Sequence, residues 1–192
     1  MNRYTSASEL DREAWKCFVE NHPQGSVFQR PEMHDLFAAT EGFEPVLAAV
    51  GEGPDRLRGL LLAVLQREPG WKGPFSARSV AWGAPLVAPD ADPGEALAEL
   101  IAAYEQALAG RALYSEFRNL SDTSAFRGLM AEHGYHYIEH LNYIIPLSST
   151  VEEVYRLLHK KRRKQIRRAR EAGLTVRELV EPAEMDKVYP LF

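Results

Sequence analysis

Pro45-Val46-Leu47-Ala48-Ala49-Val50, then Gly51-Glu52-Gly53-Pro54-Asp55, then the run from Leu57 to Leu65: this stretch decides the fold. Two short apolar runs flank a cluster of Gly, Pro, Asp and Glu, which is the pattern of a hairpin connection between two strands. A third strand candidate over 75–82 is entered through the loop 70–74. Three consecutive strands with short links favour an antiparallel meander. The longest unbroken apolar run, Leu60 to Leu65, is far short of the ~20 residues that cross a bilayer and reads as a buried strand.

Working outward, the residues before the hairpin predict two helices. Ser8 is placed to cap the first, Leu10, Ala14, Phe18 and Trp15 recur at helical spacing, and His22-Pro23 closes it. Pro31 fits the first position of the second, whose apolar face is Met33, Leu36 and Phe37. After the meander, a Pro- and Asp-rich loop leads into a helix over 94–108, with Gly110 where a C-terminal cap belongs. A strand over 112–117, a helix after Ser121-Asp122 and a strand over 135–145 follow. The expected class is α/β (α+β), a mixed and largely antiparallel sheet flanked by helices. A single long helix over 151–172 then precedes a short strand over 174–180 and a helix start at 182–184.

Bulk properties narrow the function classes. The chain of 192 residues is 45% hydrophobic and 26% charged, ordinary for a soluble globular protein. No basic segment followed by an apolar run opens it, so no signal peptide is read, and a cytoplasmic location is expected. Cys17 is the single cysteine, which excludes an internal disulfide, and its apolar neighbours predict a core position. The net charge of −4 hides an asymmetry: residues 156–170 hold nine Lys and Arg and no Asp or Glu. Such crowding is unfavourable unless solvent, acidic neighbours or an anionic ligand offsets it.

Several phrases carry a family likeness: Trp15-x-x-Phe18, His22-Pro23-x-Gly25, Phe28-Gln29, Trp82-Gly83-Ala84-Pro85-Leu86-Val87, Glu116-Phe117-Arg118-Asn119, and Arg162-Arg163-x-x-Ile166-Arg167-x-Ala169-x-x-Ala172-Gly173. With the element order, they resemble the FemAB-like branch of the GCN5-related N-acetyltransferase superfamily. The resemblance implies a twin-domain enzyme. Residues 1–148 would form the first domain, 149–173 a basic connecting helix, and 174–192 the start of a second, truncated domain. It implies transfer of an amino acid from aminoacyl-tRNA, or of an acyl group from acyl-CoA, to a small-molecule or peptide-like amine acceptor such as a bacterial peptidoglycan precursor. Where that superfamily carries a glycine-rich pyrophosphate loop, this chain reads 83–94 with Pro85, Pro89 and Pro93 and with Asp90 and Asp92. Prolines remove donors and aspartates repel phosphate, so no coenzyme A is expected in the standard place and no cofactor in this fragment.

The candidate anion-binding residues lie on the basic helix: Lys160, Arg162, Arg163, Lys164 and Arg167, of which three match the family phrase. At about 100° per residue Arg162 falls within the apolar stripe of Val154, Leu158 and Ile166, so it is expected to point inward. On the strand over 112–117, alternation places Tyr114, Glu116 and Arg118 on one face and Ser115, Phe117 and Asn119 on the other. Glu116, Arg118 and Asn119 are candidates for the acceptor cleft, with an internal Glu116–Arg118 ion pair as the alternative. No catalytic residue is assigned. His133, His136 and His140 lack convergent partners, and no metal is expected. Two other function classes fit: a nucleic-acid-binding module built on 156–170, and a non-catalytic interaction domain.

Overall fold

The computed structural model describes residues 1–140 and 150–191. It divides into two compact units, Met1–Ile138 and Glu139–Phe192.

In the first unit, β1 (Asn2–Tyr4) precedes a 3-10 turn capped by Ser6, and α1 (Arg12–Asn21) starts at Asp11, whose carboxylate accepts from the Ala14 N–H. The cap expected at Ser8 therefore lies on Ser6 and Asp11. α2 (Pro31–Ala39) begins on its proline as the sequence predicts. β2 (Phe43–Gly53) and β3 (Arg56–Gln66) form the expected hairpin, with Val46 opposite Ala63 and Val50 opposite Gly59. A short helix, α3 (Gly73–Ser76), occupies the start of the expected third strand, which is confined to β4 (Arg78–Trp82). β5 (Leu86–Val87), α4 (Pro93–Leu108), β6 (Tyr114–Arg118) and α5 (Arg127–Glu132) complete the unit.

The sheet order is β1-β2-β3-β4-β6, with β5 also on β3; every pairing is antiparallel except β4 with β6. The class is as expected: a mixed, largely antiparallel sheet between helices. Its hairpin strands read as unbroken apolar runs because both faces are covered. Leu61, Ala63 and Leu65 pack on the α4 side with Leu97, Leu100 and Tyr104, while Leu60, Leu62 and Val64 pack with Trp15, Val19 and Phe37 on the α1–α2 side. On α1 the buried pair is Trp15 and Val19, one helical turn apart. Cys17 lies between them on the outward side and is exposed, which corrects its expected core position. Residues 135–140 form no strand, and 141–145 of that expected strand, with Tyr143, lie outside the described residues.

In the second unit the expected single helix is two: α6 (Val151–Leu157) and α7 (Lys160–Glu171). Leu158 and His159 adopt extended backbone, and His159 Nδ1 accepts from the Lys161 N–H at 3.3 Å, capping α7. The break re-phases the faces, so Arg162 is exposed and bonded to Gln165 Oε1 at 3.1 Å rather than pointing inward. The expected strand over 174–180 is absent; a 3-10 turn at Pro182–Glu184 leads to α8 (Met185–Val188). No described residue between 150 and 190 is buried.

Candidate functional site at the break between β4 and β5

Between Leu60 and Val64, β3 has three residues; between their partners Leu86 and Val80, the neighbouring chain has five. Two extra residues must leave the ladder, as in a bulge. The chain turns at Gly83, whose φ of 104° is open to glycine alone without strain. Its N–H donates to the Arg118 carbonyl at 2.9 Å, so the β4–β6 seam stays closed past Trp82.

Gln29, 1% exposed, fills the space behind this turn. Its Nε2 donates to the Ala84 carbonyl at 3.0 Å, and its Oε1 accepts from the Ser26 N–H at 2.8 Å and the Ser26 hydroxyl at 2.6 Å. The Gln29 carbonyl in turn accepts from Trp15 Nε1 at 2.7 Å. A Cβ on Gly83 would stand 2.4 Å from Gln29 Nε2. His22 closes the next turn: Nδ1 accepts from the Gln24 N–H at 3.1 Å, which leaves Nε2–H to donate to the Val87 carbonyl at 2.8 Å. The scattered sequence phrases around Trp15, His22, Phe28-Gln29 and Trp82-Gly83-Ala84 thus meet at one place.

On the α1–α2 side, Phe28 stacks on Trp82 at 6.1 Å, and the Arg118 guanidinium lies 5.7 Å from the Trp82 ring centre. Arg118 also holds Glu116 in a fork, Nε to Oε1 at 2.9 Å and Nη2 to Oε2 at 3.2 Å. That pairing keeps the Glu116 carboxyl below the usual carboxylate range. Both side chains stay roughly half exposed, so the result is an aromatic wall with a solvent-facing ion pair at its mouth. Asn119 does not join them: it lies on the other face with Nδ2 bonded to Thr123 Oγ1 at 2.9 Å, and its buried Oδ1 has no hydrogen-bond partner. Ser115 and Phe117 likewise face Tyr104, as the alternation predicts.

Beside the break, an open cleft of about 540 Å³ lies between the end of α1, the β2–β3 turn and Ala88–Asp90, with Cys17, His22 and Arg58 in its lining. Arg58 is held by Glu52 at 2.7 Å and by Asp90 at 2.5 Å, and Asp90 is kept ionised below the ordinary range by that contact. The start of α4 offers few amides to a phosphate. The Asp92 carboxylate takes the Glu95 N–H at 2.8 Å, and the Ala88, Ala91 and Ala96 amides are bonded to backbone carbonyls. Pro85, Pro89 and Pro93 have no donor to give. These residues do not fit the diphosphate of coenzyme A.

Lys160, Arg162, Arg163, Lys164 and Arg167 lie on α7 in the second unit. Arg167 pairs with Glu171 at 3.7 Å; among the described residues the other four form no ion pair. His133 bonds Glu105 at 3.2 Å, and no group of metal-ligating side chains occurs among the described residues. Sequence reasoning missed Gln29 and Gly83 as the centre of the site, although both lie inside quoted phrases.

No family model matches the sequence, and no curated protein does. Solved structures do. FemX superposes with a TM-score of 0.57 at 21% identity, over 94% of this chain and 46% of FemX. AAC(6')-Iy in complex with the bisubstrate analog CoA-S-monomethyl-acetylneamine gives 0.52 at 11% identity, over 76% of this chain and 97% of that one. The aminoglycoside 6'-N-acetyltransferase AAC(6')-IG from Acinetobacter haemolyticus gives 0.50 at 13% identity, over 78% and 100%. The fold is that of the GCN5-related N-acetyltransferases, and this chain spans less than half of FemX.

Proposed function

We propose that the chain is the acceptor-side part of an acyl- or aminoacyl-transferase of the FemAB-like kind, acting in the cytoplasm on an amine-bearing cell-envelope precursor. The observation that carries this reading is the likeness to FemX, which runs through both units over 94% of the chain. In this reading 1–148 is the first domain, 149–173 the connector, and 174–192 the start of a second domain that holds the donor. Acyl-CoA is the donor that AAC(6')-Iy favours by its bound analog; aminoacyl-tRNA is the donor that the FemAB likeness favours. Attack by an amine needs positioning and carbonyl polarisation rather than a protein nucleophile. Here the Trp82–Phe28 wall positions the acceptor, while Glu116 and Arg118 meet its ammonium and carboxylate groups. In the second unit, Lys160, Arg162, Arg163, Lys164 and Arg167 offer cations suited to phosphate groups, those of a tRNA or of a diphosphate.

The test separates donor from acceptor. The purified 192-residue chain should bind a nucleotide-linked peptide precursor, with Trp fluorescence as readout, and Arg118→Ala should weaken that binding by about tenfold, the loss of one charged hydrogen-bonding group. It should bind no acetyl-CoA by calorimetry and acetylate no amine. Robust turnover by this chain alone would overturn the reading.

The unpaired cations of α7 favour a second reading, a general nucleic-acid-binding module. It requires binding of tRNA and duplex DNA alike, weakening steeply with salt and abolished by Arg162→Glu/Arg163→Glu/Arg167→Glu. Absence of binding at low salt excludes it.

A further inference from the structure

The end of the first unit opposite the Trp82–Arg118 site is built of large apolar side chains left in solvent. Trp71 is 80% exposed, Phe75 76%, Leu113 65% and Tyr114 52%. They are neighbours through the backbone: the Leu113 N–H donates to the Ala77 carbonyl at 2.8 Å, and Tyr114 pairs with Arg78, directly after the helix that carries Phe75. The segment that presents Trp71 and Phe75 is tied down at its base, where Ser76 Oγ accepts from the Glu68 N–H at 2.9 Å and donates to the Gly73 carbonyl at 3.2 Å. A fixed protrusion tipped by Trp and Phe is costly in water and is the side-chain set that settles at a membrane–water boundary.

Charge agrees with the side chains. Residues 1–138 hold twelve Lys and Arg against nineteen Asp and Glu, an excess that repels an anionic leaflet. At this end the excess disappears: Arg67, Lys72, Arg78 and Arg111 stand beside Glu41, Glu44 and Glu68, leaving eight cations against sixteen carboxylates elsewhere in the unit. Arg67 and Arg111 share Glu44, while Lys72 and Arg78 form no ion pair among the described residues, Arg78 donating instead to Gln66 Oε1 at 3.1 Å. Lys72 follows Trp71 directly, so its ammonium lies at headgroup level when the indole enters the boundary.

We propose that this end docks on a lipid bilayer surface, with Trp71 and Phe75 inserted at the headgroup–acyl boundary and Leu113 and Tyr114 against it. No helix among the described residues is long and apolar enough to cross a membrane, and the contact proposed is one with the surface of the bilayer. Docking here leaves the Trp82–Arg118 site at the far end of the same strands, about 13 Å away along β4 and β6, facing away from the lipid. The inference is independent of the transferase reading.

The experiment is flotation of the full chain with phosphatidylcholine vesicles, with and without phosphatidylglycerol, combined with quenching of Trp emission by brominated phosphatidylcholine. Adsorption through α7 alone is electrostatic, so measurements on the zwitterionic vesicles at about 0.5 M salt separate it from insertion. Wild-type chain is expected to float with both vesicles and to be quenched, with quenching lost in Trp71→Phe. Trp71→Ser/Phe75→Ser should float at least about tenfold less on the zwitterionic vesicles at unchanged melting temperature. Equal quenching in wild type and Trp71→Phe overturns the proposal, and the quenching of wild type needs no variant to fold. So do wild-type chain that stays with the unbound fraction, a double variant that floats as wild type does, and self-association without flotation, which would assign the patch to a second copy.

Discussion

Replacing Gly83 by Ala tests the structural centre of the site. The new Cβ meets Gln29 Nε2 at 2.4 Å and its Cδ at 3.0 Å, and the backbone φ of 104° is strained for any residue but glycine. The strain costs about 1–3 kcal/mol. Gln29 must also withdraw, which leaves the Ala84 carbonyl without its donor inside the protein, a further ~1–3 kcal/mol. Gly83→Ala is therefore expected to cost about 4 kcal/mol, near the upper end for a single substitution.

Gln29→Ala alone should cost about 3 kcal/mol, because it strands the Ser26 N–H and the Ala84 carbonyl and leaves a cavity. In the double variant the clash is gone and only the backbone strain is added. The double loss should then fall short of the sum of the single losses by about 2 kcal/mol. Urea unfolding followed by Trp fluorescence measures all three variants, since Trp15, Trp71 and Trp82 all lie in the first unit. A Gly83→Ala cost below about 1 kcal/mol, or losses that add within about 0.5 kcal/mol, would show that Gln29 and Gly83 are not coupled and refute this account of the break.

Two more outcomes follow from single contacts. Tyr104→Phe removes the hydroxyl that donates to Ser79 at 2.7 Å and contacts Ser115 at 3.0 Å, and should lower the urea-derived stability by about 1–2 kcal/mol; a neutral result would mean the two serines re-pair without it. The pH dependence turns on the Glu116 carboxyl, held low by its fork with Arg118. A depressed folded-state value stabilises above the unfolded value and is lost as pH falls through the folded one, so the wild-type unfolding midpoint should decline below about pH 4.3. Glu116→Gln should decline less steeply over that range, the remaining slope coming from Asp35, Glu52, Asp90 and Glu99, all similarly depressed by arginines. Parallel curves would contradict the assignment.

The hairpin was legible because its information is local: runs of Leu, Val and Ala long enough for a strand, with a glycine-rich turn between them. The break after Trp82 was not, because its shape depends on a side chain from far away in sequence. Gln29 meets Ala84 across 55 residues, and the phrase Gly83-Ala84-Pro85 by itself reads as a loop. Alternation along β6 separated Glu116 and Arg118 from Phe117 correctly, since a strand's two faces are fixed by geometry. Asn119 shares only a sequence phrase with the first pair, and its bond to Thr123 places it elsewhere. The helix over 151–172 looked continuous because hydrophobic spacing is blind to a cap. His159 accepts a backbone bond that an uninterrupted helix would have kept for itself, and two residues of extended chain follow from that competition.

The same accounting of polar groups explains why the two ends of β4 and α4 differ in what they offer a ligand. At the start of α4 the Ala91, Glu95 and Ala96 amides are bonded inside the chain, Pro93 has none to give, and Asp90, Asp92 and Glu95 surround the helix end with negative charge. Binding there would bring like charges together, and Arg58 in the adjoining cleft is held by two carboxylates already. At Trp82 the opposite holds. Glu116 and Arg118 satisfy each other while half exposed, so a ligand that brings its own ammonium or carboxylate exchanges one charged contact for another at small cost. Of the two places, Trp82 is the one where the polar groups of this unit can exchange partners with a ligand at small cost.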